Sequence, residues 1–221
     1  MKWEVSKGPS YSVLKVYLDP GESVTSEPGA MVLMKGPIEI KTHTGGLGAA
    51  LKRAVFGGES LFINTYIAKG SSELWFSPAL PGDIAYIEVR DRPLFIQDLS
   101  YLAHHGDLEL TIGWRGFKGI FTSGGVVWLK AEGTGGVWVN AFGGIEEVDL
   151  GVGESIIVDN YHFVAMEEGM EWKLRKFGGI KSTILGGEGI VIEVKGPGKL
   201  LVQTRSLPPF IQLLSKFLPR R

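Results

Sequence analysis

The sequence predicts an all-β protein made of three pseudo-equivalent β units around a pseudo-threefold axis, in a prism-like or barrel-like arrangement, followed by a short C-terminal helix. Three observations lead to this fold class. Short segments rich in Val, Ile, Phe, Tyr and Trp alternate apolar and polar residues with the period of a half-buried strand. Glycine is abundant, with 32 residues in 221, and glycine pairs separate these segments as turns do. The segments also recur in the same order along the chain.

The first element is the N-terminal stretch "MKWEVSKGPSYSVLKVYL" (1–18), which alternates like a strand. Because it contains no long apolar core, we expect no signal peptide, and because it is not rich in Arg and Ser, we expect no mitochondrial leader. No apolar run in the chain approaches the roughly 18 residues that span a bilayer. The sequence therefore predicts a cytoplasmic protein without an integral membrane segment.

The following elements are mostly short strands bounded by glycine. Strands are predicted in "SLFINTYIA" (60–68), "VVWLKA" (126–131), "GVWVNAF" (136–142), "SIIVDNYHFVAM" (155–166) and "GIVIEVKG" (189–196). The glycine pairs are expected at equivalent corners, where the backbone needs a positive φ or approaches a neighbour closely.

Several of these elements are repeated. "LDPGESVTSEPGAMVLM" (18–34) resembles "LGVGESIIVDNYHFVAM" (150–166), and "FGGESLFINTYI" (56–67) resembles "LGGEGIVIEVKG" (185–196). One such unit cannot bury its apolar face alone, whereas three packed around a shared axis can. We therefore expect a single domain over 1–221 with a shared core. Its repeats are expected at about 10–78, 79–144 and 145–206, with the helix at 207–218.

The C-terminal stretch "LPPFIQLLSKFL" (207–218) has the pattern of an amphipathic helix. Two prolines stand where a helix starts, and apolar residues follow at spacings of three and four. This apolar face needs a cover, either its own barrel or a neighbouring subunit. We expect a homo-oligomer, with a trimer favoured, and the candidate oligomer contacts are Phe210, Leu213, Leu214 and Phe217.

A basic insert lies between two glycine pairs in "GGLGAALKRAVFGGES" (45–60), and 47–55 is the other stretch that resembles a helix. It is not a Walker phosphate loop, because its lysine precedes the second glycine pair. The corresponding "GGIKSTILGG" (178–187) is shorter, which indicates a connecting loop at the end of the barrel rather than a core element. The candidate partner or anion contacts in this loop are Leu47, Leu51, Lys52, Arg53, Val55 and Phe56.

Composition limits the chemistry. The chain has no cysteine, which excludes disulfides, cysteine–zinc sites and a cysteine nucleophile, and its net charge of −1 gives no bulk attraction for nucleic acid. The best basic and aromatic stretches are "WRGFKGIF" (114–121) and "LKAEGTGGVWVNAF" (129–142). Nucleic-acid binding would require their aromatic rings on an exposed face. We expect these rings in the core and expect no nucleic-acid partner.

The histidines and acids are also expected to be structural. His104 and His105 are adjacent and point to opposite faces of a strand, while His43 and His162 stand apart, so we expect no metal site and no cofactor. The "GES" triplets at 21–23, 58–60 and 153–155 mark repeated corners. The acid pairs Glu146–Glu147 and Glu167–Glu168 are expected on solvated faces. No catalytic residue is predicted.

Four long motifs follow one another in order: "GGLGAALKRAVFGGESLFINTYIA" (45–68), "LPGDIAYIEV" (80–89), "FGGIEEVDLGVGESIIVDNYHFVAME" (142–167) and "GGIKSTILGGEGIVIEVKGPGKLLVQTRS" (178–206). These motifs resemble the family named for altered inheritance of mitochondria 24, which is also known as a domain of unknown function in bacteria and archaea. The resemblance implies an all-β fold similar to the tryptophan RNA-binding attenuation protein, with homo-oligomeric members and no established ligand or catalytic residue.

These observations favour a non-enzymatic binding or scaffolding module that acts as a homo-oligomer. Two alternatives remain open. A small-molecule or sugar-processing enzyme would place convergent histidines or carboxylates in a polar cavity at the barrel mouth. A nucleic-acid binder would show a continuous basic groove and binding that weakens steeply with salt.

Overall fold

The structure is a computed structural model, and it describes residues 1–44, 55–56, 59–60, 62–90, 92–115, 127–176 and 190–218. These residues form antiparallel strands and a short C-terminal helix, as the sequence predicts. The strands up to the end of the first predicted repeat are β1 (Lys2–Ser6), β2 (Val13–Leu18), β3 (Ser23–Ser26), β4 (Met31–Lys35), β5 (Ile38–Thr44), β6 (Val55–Phe56), β7 (Glu59–Ser60), β8 (Phe62–Ala68) and β9 (Ser72–Phe76).

The remaining elements follow in two further groups. The second segment of the chain (79–144) contains β10 (Ile84–Val89), β11 (Leu94–Gln97), β12 (Tyr101–Arg115) and β13 (Val127–Asn140). The third segment (145–206) contains β14 (Ile145–Leu150), β15 (Ser155–Asp159), β16 (Phe163–Glu167), β17 (Glu171–Lys176), β18 (Ile190–Lys195) and β19 (Gly198–Gln203). The helix α1 (Leu207–Ser215) comes last.

The strands of the three segments pair in the same way. In the first segment, β2 and β4 flank β9, while β3 and β5 flank β8. In the third segment, β14 and β16 flank β19, while β15 and β17 flank β18. In the second segment, the long strand β12 corresponds to β4 and β5 together, and the long strand β13 corresponds to β8 and β9 together. β10 and β11 pair with opposite ends of β13.

The agreement extends to an irregularity. β4 against β9, the start of β12 against β13, and β16 against β19 each skip one residue, which forms a β-bulge. The skipped residues are Val32, Leu102 and Val164. We call residues equivalent when they occupy the same place in this pairing scheme.

Two of the sequence predictions need correction. "VVWLKA" and "GVWVNAF" were predicted as separate strands, but both belong to the continuous β13, because β12 pairs with it along nearly its whole length. The pair Gly135–Gly136 therefore lies inside a strand and not at a corner. Conversely, "SIIVDNYHFVAM" is not one strand, because a 3₁₀ turn at Asn160–His162 separates β15 from β16.

The repeated "GES" triplets at 21–23 and 153–155 form matching corners. Gly21 and Gly153 have φ of +88° and +82°, which favours glycine. The carboxylate of Glu22 accepts a hydrogen bond from the Asp19 amide at 2.8 Å, and that of Glu154 accepts one from the Gly151 amide at 2.7 Å. These acids therefore hold turns together.

The core consists of three apolar clusters, and β13 contributes to each of them. The central cluster contains Leu129 and Val139, the cluster of the first segment includes Trp138, and the cluster of the third segment includes Trp128. Both tryptophans are fully buried. The second segment therefore joins the other two through side chains of a single strand.

Strand pairing also joins the segments, but only in sequence order. β3 of the first segment pairs with β12 of the second, and β11 of the second pairs with β16 of the third. Among the described residues, no strand pair joins the first segment to the third. Within the described ranges, one strand edge at each end of this series therefore has no partner.

Candidate functional site

The histidines whose side chains are described lie in separate places and have separate partners. His104 is buried on β12, and its Nδ1 lies 2.7 Å from the Tyr101 hydroxyl. Its neighbour His105 lies on the other face, with Nε2 3.0 Å from the Tyr86 hydroxyl. Nδ1 of His162 lies 2.7 Å from a backbone carbonyl, that of Gln203. Within the described ranges, no three His, Asp or Glu residues are grouped closely enough to hold a metal ion.

Burial raises the pKa of two acids that follow strands, Glu27 and Asp98. Glu27 follows β3, and burial raises the pKa of its carboxyl from 4.5 to about 7. Asp98 follows β11, and burial raises its pKa from 3.8 to about 6. Burial, and to a lesser extent the Glu27 charge, raises the pKa of the Tyr101 hydroxyl well above its ordinary value. Both acids are half-buried, and the Glu27 charge acts on Tyr101 across the junction of the first and second segments.

Three of the four acids singled out as pairs in the sequence, Glu147, Glu167 and Glu168, form ion pairs with bases at the surface. Glu147 contacts Lys199 at 2.6 Å, and Glu168 contacts Lys130 at 2.9 Å. Such pairs contribute little to stability individually.

Two clefts among the described residues are small. One of about 270 Å³ lies beside the ends of β2 and β9 and is lined by residues that include Lys2, Tyr17 and Lys35. Typical small-molecule sites begin at roughly 300 Å³ and are more enclosed and apolar. This cleft does not bring together the histidines or the two buried acids.

The aromatic residues considered for nucleic-acid binding face inward. Trp114 packs against Trp128 and Trp172, with ring centroids 5.4 and 5.3 Å away. Trp138 is fully buried. Of the stretch 114–121, residues 116–121 lie outside the described part of the chain. Trp138 is therefore closed to a stacking base, whereas Trp114 is half-buried against other rings.

The most unusual surface is the edge strand β4. All five of its residues are exposed, and four of them in succession are apolar, from Met31 to Met34. Val32 is 55% exposed, although its equivalents Leu102 and Val164 are both at 0%. Those equivalents are covered because β3 and β11 pair with their strands. β4 has no such cover among the described residues.

A second open edge lies in the third segment. β15 pairs with β18 along one side, whereas its equivalents β3 and β11 each pair with two strands. Ile157, in the middle of β15, is 59% exposed. Its equivalent in β3, Thr25, is buried.

The C-terminal helix is a third exposed apolar surface. Only its first turn is held against the body, where the Phe210 ring meets the Phe142 ring edge-on at 5.2 Å. From Ile211 to Leu218 every residue is exposed. Of the predicted oligomer contacts, Leu213, Leu214 and Phe217 therefore lack an apolar cover in the described chain.

This helix is too short to cross a membrane, and no other described helix is long and apolar enough to do so.

The predicted contacts of the basic insert are mostly not described. Leu47, Leu51, Lys52 and Arg53 lie outside the described residues. Val55–Phe56 form the two-residue strand β6, which pairs with β7, so the resemblance of 47–55 to a helix fails at its last residue.

Sequence reasoning missed β4, although a signal was present. "MVLM" (31–34) is a continuous apolar run, and such runs are typical of strands buried on both faces. The equivalent runs in β12 and β16 are indeed buried on both faces. An uninterrupted run in an edge strand therefore indicates a cover that the described part of the chain does not supply.

Comparisons with known proteins identify relatives along nearly the whole chain. The family model described as "Mitochondrial biogenesis AIM24" matches residues 3–205. The uncharacterized protein M6_Spy0233 of Streptococcus pyogenes serotype M6 is 26% identical over 228 positions, which cover 99% of this chain and 92% of the relative. The crystal structure of protein SPYM3_0169 from Streptococcus pyogenes has 27% identity and a TM-score of 0.83. The structural match covers 98% of this chain and 99% of that protein.

Proposed function

The chain belongs to the family described as mitochondrial biogenesis AIM24, and from this premise we propose that it is a non-enzymatic binding or scaffolding module that acts as a homo-oligomer. The family and its bacterial relative are uncharacterised, so the proposal rests on the surface of the molecule.

The observation that carries the proposal is the exposed apolar edge of β4. Natural proteins protect strand edges with charges, prolines, bulges or short length, because an open edge pairs with other chains. β4 is short and carries the bulge at Val32, but it presents four consecutive apolar residues, and of its five residues only Lys35 is charged. An edge of this composition is stable in solution when another chain covers it.

We also propose that the three segments are internal repeats around a pseudo-threefold axis, as in the fold of the tryptophan RNA-binding attenuation protein. The shared pairing scheme and the shared bulge support this architecture. The repeat boundaries are proposed at 10–78, 79–144 and 145–206. A superposition of the segments by rotations of about 120° would test the axis.

Two further surfaces are proposed as contacts. Leu213, Leu214 and Phe217 of the C-terminal region are exposed and apolar, while Phe210 anchors the helix to its own chain. The basic insert with Lys52 and Arg53 is a candidate for an anion or partner contact on sequence grounds alone. A cytoplasmic location is likewise a proposal, which cell fractionation would test.

The test of the proposed function is the mass of the full-length protein in solution. Light scattering coupled to size exclusion should give a multiple of 24.0 kDa, and we favour a trimer. The mass should persist on dilution to micromolar concentrations. A monomeric mass at all accessible concentrations would contradict the proposal.

A further inference from the structure

The chain contains two copies of one internal interface. In the first, His104 of β12 lies opposite Thr25 of β3. In the second, Met166 of β16 lies opposite Phe95 of β11. Each interface joins a strand equivalent to β4, namely β12 or β16, to a strand of the preceding segment, namely β3 or its equivalent β11. The opposed residues occupy equivalent positions, so the two interfaces share the same register.

A third interface of this kind would use the two open edges. The strand equivalent to β12 and β16 is β4, and the strand equivalent to β3 and β11 is β15. Met34 occupies the position of His104 and Met166, and Ile157 occupies the position of Thr25 and Phe95. Met34 is 41% exposed and Ile157 is 59% exposed. Both halves of the interface are therefore present in one chain, but among the described residues β4 and β15 do not pair with each other, so the three segments do not close a ring by strand pairing within one copy.

We propose that β15 of one copy pairs antiparallel with β4 of a second copy, in the register that the two internal interfaces define. Met34 then lies opposite Ile157 of the second copy, and Leu33 lies opposite Val158. This inference rests on the proposed homo-oligomer and specifies its interface. A second copy is the occupant that the observations favour, because the same chain carries both matching edges and already makes this junction twice.

The backbone groups at the two edges are also complementary. At the first internal interface, the Glu27 amide donates a hydrogen bond to the Leu102 carbonyl at 3.0 Å. At the second, the Glu168 amide donates to the Pro93 carbonyl at 2.8 Å. The corresponding bonds between copies would run from the Asp159 amide to the Val32 carbonyl and from the Gly36 amide to the Ser155 carbonyl. Pairing thus adds hydrogen bonds as well as apolar contact.

The interface has a direction, because β4 and β15 are different edges. Each copy therefore offers one edge to each of two neighbours. Such head-to-tail contacts build a closed ring when the rotation between copies closes, and an open filament when it does not. An isologous dimer through β4 alone would leave every β15 uncovered.

Cysteine cross-linking tests the register, and the chain provides a clean background because it has no native cysteine. Met34→Cys and Ile157→Cys proteins would be prepared separately, mixed, allowed to exchange subunits and oxidised. Directly opposed strand residues are close enough for a disulfide to form. We expect a cross-linked pair of chains in the mixture and at least a tenfold lower yield from either variant alone. Ser155→Cys mixed with Met34→Cys is the matched control, two residues out of register, and should cross-link much less.

Each other outcome overturns the proposal in a recognisable way. Efficient cross-linking of Met34→Cys with itself would indicate a β4–β4 dimer. An internal disulfide in the Met34→Cys/Ile157→Cys double variant, without linked chains, would show that one chain closes its own ring. No cross-link in a protein that light scattering shows to be oligomeric would place the interface elsewhere and leave the proposed function intact. A monomer by light scattering would remove both.

Discussion

Val32 and Val164 occupy the same bulge in equivalent strands, yet Val32 is 55% exposed and Val164 is completely buried. The difference comes from the neighbouring strand, because β11 covers β16 while no described strand covers the corresponding side of β4. Identical side chains at equivalent positions therefore allow the open edge to be tested against an internal reference.

Val32→Lys should weaken association without unfolding the subunit. An exposed edge position tolerates a charge, and lysine is a common protection of natural strand edges. We expect the free energy of unfolding to change by less than about 0.5 kcal/mol. The variant oligomer should already dissociate at protein concentrations at which the wild-type oligomer stays assembled. Light scattering and denaturant titration of the same sample measure both effects.

Val164→Lys is the matched control. The same change at the buried position places an unpaired charge in the core, and we expect a cost of at least about 3 kcal/mol. If Val32→Lys instead unfolds the protein as Val164→Lys does, the edge belongs to the core of the single chain.

The sequence predicted the strands well but not their connection into sheets. Alternation and glycine turns are local signals, so strands such as β8 and β18 were found near their observed positions. Register depends on residues far apart in the chain and leaves little local trace. The pair Gly135–Gly136 had the composition of a turn, yet it lies inside β13 opposite β12.

The candidate site was only partly predictable for a related reason. Phe210 follows from spacing and lies in α1 as the pattern places it, but α1 ends at Ser215 and not at 218, so Phe217 lies beyond the helix. The apolar run of β4 was visible, but its lack of a cover depends on the strands that the other segments supply. Exposure of an edge is a property of the assembled sheets.

Glu27→Gln should stabilise the protein in a pH-dependent way. The folded-state pKa of about 7 lies above the ordinary 4.5, so the folded state binds the proton more tightly than the unfolded state. The wild type therefore loses stability as pH rises from 4.5 to 7. Relative to the wild type, the variant should gain nothing from this effect at pH 4 and on the order of 3 kcal/mol at pH 8.

Urea titrations at the two pH values measure that difference. Glu147→Gln is the control, because it removes an exposed pair with Lys199 and should change stability by less than about 1 kcal/mol at either pH. An equal effect of Glu27→Gln at both pH values would show that the Glu27 carboxyl is not desolvated in the folded protein.

Gly136→Ala should destabilise the junction of the first two segments. A Cβ at this position would overlap the Tyr86 ring, which stacks on His105 with an interplanar angle of 10°. Forcing that ring aside should cost about 2 kcal/mol. At the control position Gly144, an added Cβ would meet nothing closer than 3.7 Å, so Gly144→Ala should leave the midpoint of urea unfolding nearly unchanged. Equal midpoints for the two variants would contradict this packing.

The C-terminal helix gives the last prediction, because its two ends differ in environment. Phe210 contacts Phe142 of its own chain, whereas Phe217 is 79% exposed. Leu214→Glu combined with Phe217→Glu should weaken assembly by at least tenfold and leave the free energy of unfolding nearly constant, because neither side chain is buried in the subunit. Sedimentation velocity measures the association.

Phe210→Ala separates attachment of the helix from contact with a partner. It removes an aromatic pair worth about 1 kcal/mol beyond its buried area, so it should release the first turn from Phe142. If the helix acts only when it is held in place, this variant weakens assembly as the double glutamate variant does. If both variants assemble like the wild type, the exposed helix is not an oligomer contact. The interface then depends on the strand edges, where the cysteine pair at Met34 and Ile157 tests it independently.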